Sequence, residues 1–245
     1  MIGDVWTVMR KEWKELLVAR GSLRGSLMQL LLSLGVFGIF LPWQFNEMWL
    51  TSTWTVFWVL FASLFWTTPV IVDSFAGERE RHTLETLLAS RLSNRAILFG
   101  KFFAALSYVW GQILVALLLG VVTVNLIQGE GGLLFYRASV GLGAVGLGLL
   151  GAGLVAGLGI LISLRAASVR QATQTLLFPL TILLLLPSIG TMILPADLQA
   201  RVFKWLTEAD VTGLVLGVMA ALLVVDAALL AAALARFQRA KLILD

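Results

Sequence analysis

The ionisable side chains between Gly77 and Lys101 are the first candidates for chemistry in this sequence. The segment reads GERERHTLETLLASRLSNRAILFGK, and acidic and basic residues alternate at its start. Alternating carboxylate and guanidinium groups can form charge-assisted hydrogen bonds, either within the chain or with a partner. The chain has no H-E-x-x-H and no G-x-S-x-G motif, so no residue can be assigned a catalytic role from a motif.

The rest of the sequence excludes several kinds of site. It has no cysteine, which removes disulfides, thiolate metal sites and cysteine nucleophiles. His82 is the single histidine, so we expect no zinc site and no other metal site. The chain also lacks the G-x-x-x-x-G-K-[ST] loop that cradles ATP phosphates. We therefore predict no catalytic residue and no cofactor in this chain.

Three residues inside apolar segments are candidates for translocation or gating. Asp226 is the one acidic residue well inside such a segment, and intramembrane carboxylates commonly mark a substrate or ion path. The alternative is a protonated carboxyl group, or one hydrogen-bonded to a neighbouring helix. Pro179 and Pro187 interrupt another apolar segment, where they allow kinks of the kind that a moving gate needs. Static kinked helices contain such prolines as well.

The composition places these residues in a membrane protein. Of the 245 residues, 59% are apolar and 13% are charged, with a mean hydropathy of +0.94. Several apolar runs reach the roughly 20 residues that a helix needs to cross a bilayer. The basic pI of about 9.9 fits the Lys and Arg enrichment of cytoplasmic loops better than nucleic-acid binding.

The apolar runs predict an all-α membrane protein with six transmembrane helices. We expect one transmembrane domain over residues 1–245, with the six-helix bundle in residues 26–235. The predicted spans are 26–43, 54–75, 102–126, 138–163, 172–194 and 211–235. In the fourth span, small residues recur at four-residue steps, as at Gly148, Ala152 and Ala156, and Gly153 forms a G-x-x-x-G pair with Gly157. Such residues allow close helix packing, within the chain or at a subunit seam.

Basic residues predict the orientation. With the N-terminus in the cytoplasm, fifteen of the 18 Lys and Arg residues fall on the cytoplasmic side. This is a strong positive-inside bias, and an even number of spans places both termini inside.

Residues 4–20 are too polar to span, and they predict an amphipathic helix in the plane of the headgroups. Its predicted apolar face holds Trp6, Met9, Trp13, Leu16 and Leu17. Its predicted polar face holds Arg10, Lys11, Glu12, Lys14 and Glu15. We expect Trp6, Arg10, Trp13 and Lys14 to contact the membrane interface. The alternative is that this helix docks a partner.

A second short amphipathic helix is predicted in the cytoplasmic loop of residues 77–101, between the second and third spans. Its apolar stripe is Leu84, Leu87, Leu88 and Leu92. Ser93 is then placed to cap the helix that runs into the third span. Exposed leucines need a partner, which could be another protein, the membrane or the chain's own first helix.

This loop resembles the signature loop of type-2 ATP-binding-cassette (ABC) export permeases. The matching positions are Glu78, Glu80, Thr83, Glu85, Leu87, Leu88, Leu92, Ser93, Gly100 and Lys101. His82 stands where glycine is usual, and Arg91 stands where proline is usual. The interfacial first helix, the six spans and the cytoplasmic termini are similar to the layout of that family.

The resemblance implies that the loop forms a coupling helix, which docks on a separate ABC ATPase subunit. The implied docking residues are Glu78, Arg79, Glu80, Arg81, Thr83, Leu84, Glu85, Leu87 and Leu88. ATP and Mg²⁺ would then bind to the ATPase, and a second permease copy or homologue would complete the exporter. The expected location is a prokaryotic inner membrane.

Two other functions remain open from the residues alone. One is an ion-coupled secondary transporter that works through Asp226 without an ATPase. The other is a non-transporting membrane assembly subunit.

Overall fold

The computed structural model is all-helical in the part of the chain that it describes. Those residues are 1–19, 23–83, 90–128, 132–193, 195, 197–199, 201 and 211–237. They contain helices and turns but no strand.

The structure gives bounds for ten α-helices among the described residues, and three of these helices are followed by π-helical turns. The helices are α1 (Ile2–Lys14), α2 (Leu23–Leu34), α3 (Leu41–Phe45), α4 (Glu47–Thr51), α5 (Trp54–Val72), α6 (Glu78–Glu80), α7 (Asn94–Gln128), α8 (Ala138–Ser163), α9 (Val169–Ile193) and α10 (Val211–Arg236). The π-helical turns are Glu15–Ala19, Gly35–Phe40 and Asp73–Gly77.

Five segments among the described residues are long and apolar enough to cross a membrane. They are Leu27–Phe45, Trp54–Glu80, Asn94–Gln128, Ala138–Ser163 and Thr212–Arg236. These segments match the first, second, third, fourth and sixth predicted spans. The fifth predicted span, 172–194, falls on α9, which continues as a helix through both of its prolines. The count of six spans remains a prediction.

The start of α7 confirms the predicted helix cap. The backbone N–H of Ala96 donates a hydrogen bond to the Ser93 hydroxyl at 3.2 Å. An N-cap hydroxyl satisfies one of the backbone donors that the first turn of a helix leaves free. Because the cap sits at Ser93, α7 begins at Asn94, and the membrane span predicted at 102–126 lies within this longer helix.

Close packing around α8 forms the centre of the bundle. A Cβ atom at Gly148 would lie 2.9 Å from a Val59 methyl group on α5 and 3.3 Å from Ile113 on α7. On its other side, α8 meets α10, where a Cβ atom at Gly157 would lie 3.0 Å from Leu229. The small residues of the fourth span thus pack against helices of the same chain, which confirms the predicted intramolecular packing.

The first helix packs against α7, and this corrects the predicted faces of α1. Val8, Glu12 and Leu16 are buried, whereas Trp6 and Leu17 are more than half exposed. The assignment of Glu12 to the polar face was therefore wrong. Glu12 lies four residues after Val8 and four before Leu16, so it belongs to the same buried stripe. The Glu12 carboxylate is stable at this buried position because a cationic side chain of α7, Lys101, pairs with it.

We predict that Gly148→Ala destabilises the bundle by about 1–3 kcal/mol, because its methyl group overlaps side chains that are themselves buried. The measurement is the thermal unfolding temperature of the purified protein in one detergent. Gly111→Ala is the matched control, since a Cβ atom at Gly111 meets nothing within 4 Å. That control should unfold at or above the wild-type temperature, because alanine favours helix over glycine. Equal melting of the two variants would contradict the packing described here.

Candidate functional site

The helices α1 and α7 and the segment that follows α5 meet at a fully buried lysine, Lys101. The Lys101 ammonium has no exposed surface, and it donates hydrogen bonds to Glu12 Oε1 at 2.7 Å and to the Ser74 carbonyl at 2.7 Å. Its distance to Glu78 Oε1 is 2.9 Å. The Phe75 ring lies 5.3 Å from the same ammonium. We call Glu12, Glu78 and Lys101 the anchor cluster, because they join three elements that are distant in sequence.

Lys11 closes the anchor cluster on its exposed side. Its ammonium lies 2.9 Å from Glu78, 3.2 Å from Glu15 and 3.6 Å from Glu12. Partial burial lowers the pKa of Lys11, but the hydrogen bond to Glu78 and the three carboxylate charges outweigh it, so the pKa lies above its usual value. Carboxylate oxygens of Glu12, Glu15 and Glu78 approach one another within 4.8 Å, but the two lysine ammoniums already lie among them.

Gly100 allows the anchor cluster to form. A Cβ atom at this position would lie 2.5 Å from the Val8 Cβ and 3.1 Å from the Val5 carbonyl oxygen. Glycine therefore lets α1 reach the surface of α7, and the adjacent Lys101 bonds to the Glu12 that this approach brings near. The Gly-Lys pair of the sequence motif acts as a docking point for the chain's own first helix.

The short helix α6 is also fastened to the loop between α8 and α9. Arg79 donates hydrogen bonds to the Ala166 carbonyl at 2.9 Å and to the Leu164 carbonyl at 2.8 Å. Glu80 accepts a hydrogen bond from the backbone N–H of Val169 at 2.8 Å. A guanidinium at the carboxyl end of α8 and a carboxylate at the amino end of α9 both complement the helix dipoles. These contacts connect α6 to the two helices at once.

The backbone conformation of the turn after α6 explains why glycine is usual in the motif at the position of His82. His82 has a positive φ of 55°. The backbone N–H of Thr83 donates to the Glu78 carbonyl at 2.9 Å, and that of His82 donates to the Arg79 carbonyl at 3.0 Å. This pair of hydrogen bonds is the Schellman helix end, whose left-handed residue is most often glycine. His82 thus keeps the turn geometry at a backbone cost that glycine avoids.

Several predicted docking residues therefore contact the chain itself. Glu78 lies inside the anchor cluster, Arg79 and Glu80 hold the α8–α9 loop, and Arg81 pairs with Asp73 at 3.2 Å. Arg81 and Thr83 are exposed. Leu84, Glu85, Leu87 and Leu88 lie outside the described residues. Docking of an ATPase by this set remains a prediction.

The predicted interfacial residues divide into two kinds. The Trp13 indole N–H reaches the Ala104 carbonyl and the Ser107 hydroxyl, both at 3.2 Å, so Trp13 faces α7. Trp6 packs edge-on against Trp13 with ring centres 6.0 Å apart and is itself exposed. Arg10 and Lys14 are exposed too. Contact of Trp6, Arg10 and Lys14 with a membrane remains a prediction.

The translocation candidates do not converge on the anchor cluster. A Cβ atom at Gly153 would lie 2.5 Å from Asp226 Oδ2, so the absence of a side chain on α8 makes room for this carboxyl group. Asp226 Oδ1 is buried without a hydrogen-bond partner among the described residues. Pro179 is exposed, and the side chain of Pro187 lies outside what the structure describes. A gating role for these three residues remains a prediction.

One pattern of charged and apolar residues in the sequence indicates the anchor cluster. Glu12 sits in register with Val8 and Leu16, and Lys101 is the last charge before a long apolar run. A charge on a buried stripe needs a partner of opposite sign, and these two residues are complementary. Their pairing across the sequence could not be deduced without the tertiary structure.

Fold and site together define a multi-pass helical membrane protein, in which the charged segment around α6 is bonded to the first helix and to the loop between α8 and α9. A family model described as ABC-2 family transporter protein matches residues 69–207, and the chain belongs to this family. This confirms the resemblance carried by residues 77–101. No curated protein and no solved structure matched the chain. The family assignment makes the protein a permease-type transporter component of the membrane.

We predict that Lys101→Met destabilises the protein by about 3–5 kcal/mol, because it leaves two buried carboxylates with Lys11 as their remaining cationic partner. Lys14→Met is the control, since it removes an exposed lysine from α1. The double variant Glu12→Gln/Lys101→Met should lose less than the sum of the two single variants, because both charges leave together. Thermal unfolding in one detergent measures the wild type, Glu12→Gln and the three other variants, and wild-type stability of Lys101→Met would refute the anchor role.

We predict that His82→Gly stabilises the α6 turn by about 0.5–1 kcal/mol, because glycine adopts the left-handed conformation without a Cβ penalty. His82→Ala is the control: it removes the imidazole but keeps the Cβ atom, and it should give no such gain. Hydrogen exchange of the His82 and Thr83 amides reports the change locally. Faster exchange in His82→Gly than in His82→Ala would count against the assigned turn.

Proposed function

We propose that this chain is the membrane-spanning permease subunit of an ABC exporter. A second permease copy or homologue and two separate ATPase subunits would complete the transporter. ATP and Mg²⁺ would bind to the ATPase subunits, which accords with the lack of a phosphate-binding loop in this sequence.

The observation that carries this proposal is the set of bonds around α6. Glu78 ties α6 to α1 and α7 through Lys11 and Lys101. Arg79 and Glu80 tie it to the ends of α8 and α9. A force on the adjoining residues 84–89 would therefore reach four long elements through short charged contacts. Such a joint is what an ATP-driven partner needs in order to move a membrane domain.

This geometry sharpens the roles that the resemblance implies. Glu78, Arg79 and Glu80 would transmit movement within the permease, since their charged groups already have partners in the chain. Arg81 and Thr83 are exposed and would sit at the rim of the docking surface, while Leu84, Glu85, Leu87 and Leu88 would supply its centre. When the ATPases close on ATP, the joint would tilt α5, α7 and α8 and open the pathway outward.

The proposed topology has six spans and two cytoplasmic termini, in a prokaryotic inner membrane. Its support is the helical state of α9 and the basic residues in the loops that this topology places in the cytoplasm. The ion-coupled alternative through Asp226 and the assembly-subunit alternative gain no support from the family assignment.

We predict that the tagged permease, purified from its native membrane, carries an ATPase subunit that mass spectrometry identifies. Glu85→Lys combined with Leu87→Ala should reduce the recovered ATPase at least tenfold, because both changes fall on the proposed docking helix. Glu47→Lys is the matched charge reversal, placed on an exposed residue between the first two spans. Undiminished ATPase recovery with the docking variant would refute this docking surface.

A further inference from the structure

A cleft of mixed polarity lies between α2, α5 and α7, within three of the segments that are long and apolar enough to cross a membrane. Its volume is about 40 Å³, and the three helices enclose it in part. Polar atoms form almost half of its surface. The polar side chains that line it are Gln29 and Ser33 on α2, Trp66 on α5, and Tyr108 and Gln112 on α7.

The spacing of these residues gives α2 and α7 one polar face each towards the cleft. Gln29 and Ser33 are four residues apart, and so are Tyr108 and Gln112. Residues at this spacing lie one turn apart on the same side of a helix. Two polar faces on membrane-spanning helices thus line one space, where hydrocarbon would offer them no hydrogen bonds.

Three of the polar side chains lack a hydrogen-bond partner in the part of the chain that the structure describes. These are the amides of Gln29 and Gln112 and the indole N–H of Trp66. The polar atoms of Gln112 and Trp66 are not fully enclosed by protein, so a molecule in the cleft can reach them. An unpartnered amide costs free energy in an apolar medium, so the cleft favours an occupant that donates and accepts hydrogen bonds.

The remaining lining restricts the occupant to an uncharged one. None of the described residues that line the cleft carries a charge, so a phosphate or ammonium group would be desolvated there without a counter-ion. A water-sized group needs about 10–15 Å³ of such volume, so the cleft admits roughly three oxygen-sized groups. Leu16, Leu30, Pro69 and Val70 form the apolar part of the lining, which suits a hydrocarbon chain.

We propose that this cleft binds the headgroup of an uncharged, hydroxyl-bearing lipid of the acylglycerol type. The glycerol hydroxyls both donate and accept, as the amides of Gln29 and Gln112 do, and the Trp66 indole N–H donates to an ester oxygen. Ser33 donates its own proton to the Leu30 carbonyl at 2.9 Å, so its oxygen serves as an acceptor. Binding of this lipid does not rest on the proposed exporter function, whereas a role for it as cargo would.

The test uses the full-length permease without any ATPase, so that a failed exporter hypothesis cannot affect the result. Native mass spectrometry measures retention of three probes that share one oleoyl chain: monooleoylglycerol, oleoyl lysophosphatidic acid and methyl oleate. The detergent is lauryldimethylamine oxide, whose headgroup has no hydroxyl group that could compete. We expect monooleoylglycerol to be retained at least about fivefold better than either of the other probes, because one is charged and the other lacks hydroxyls.

Glutamine-to-leucine variants test the two amides. Gln29→Leu and Gln112→Leu should each weaken retention of monooleoylglycerol roughly fivefold, and the double variant roughly twentyfold, because each removes hydrogen bonds to the headgroup. Leucine has a similar size and is favourable in a membrane helix, so these variants should fold. Gln44→Leu is the matched control, since Gln44 is an exposed glutamine of the same first span that does not line the cleft.

Each contrary outcome overturns the proposal. Equal retention by the wild type and the double variant would show that the amides do not hold the lipid. Equal losses in Gln44→Leu and Gln112→Leu would assign the effect to general polarity of the spans. Equal retention of methyl oleate and monooleoylglycerol would show an apolar site, preference for the lysophosphatidic acid would show an anion site, and retention of no probe would leave the cleft to water.

Discussion

An ammonium group with no exposed surface has to be neutralised by the chain around it, and Lys101 imposes this requirement on the helices that pack around it. Burying an unpaired charge costs several kcal/mol, so the fold holds only if carboxylates arrive from elsewhere. Glu12 comes from the first helix and Glu78 from the end of the second span. One buried charge thereby fixes the position of α1, α6 and α7 relative to one another.

The neighbouring features follow from that constraint. A side chain at position 100 would hold α1 away from α7. Because residue 100 is glycine, Glu12 on α1 can reach Lys101 on α7. The π-helical turn Asp73–Gly77 brings the Ser74 carbonyl to the same ammonium. The Schellman end at His82 then turns the chain away from α6 towards the following loop. The charged segment around α6 looks at first like a signal for membrane orientation. In the structure it bonds α1 and α7 on one side and the ends of α8 and α9 on the other.

The contacts around α6 also carry the proposed function. The anchor cluster and the Arg79 and Glu80 contacts form the joint proposed to receive force from an ATPase.

The sequence by itself determined the class of the protein, five of its six predicted spans and the family, because apolar length and the loop motif are properties of local sequence. It also placed the Ser93 cap and the close packing of the fourth span. The partner of Lys101, the buried face of α1 and the inward direction of Glu78 and Arg79 were decided only by the tertiary structure. Residues 12, 78 and 101 are far apart in the chain, and a charge of either sign looks the same in sequence whether it meets water, lipid or a buried partner. Local patterns report the environment that a residue prefers, whereas the pairing of buried charges depends on which helices pack together.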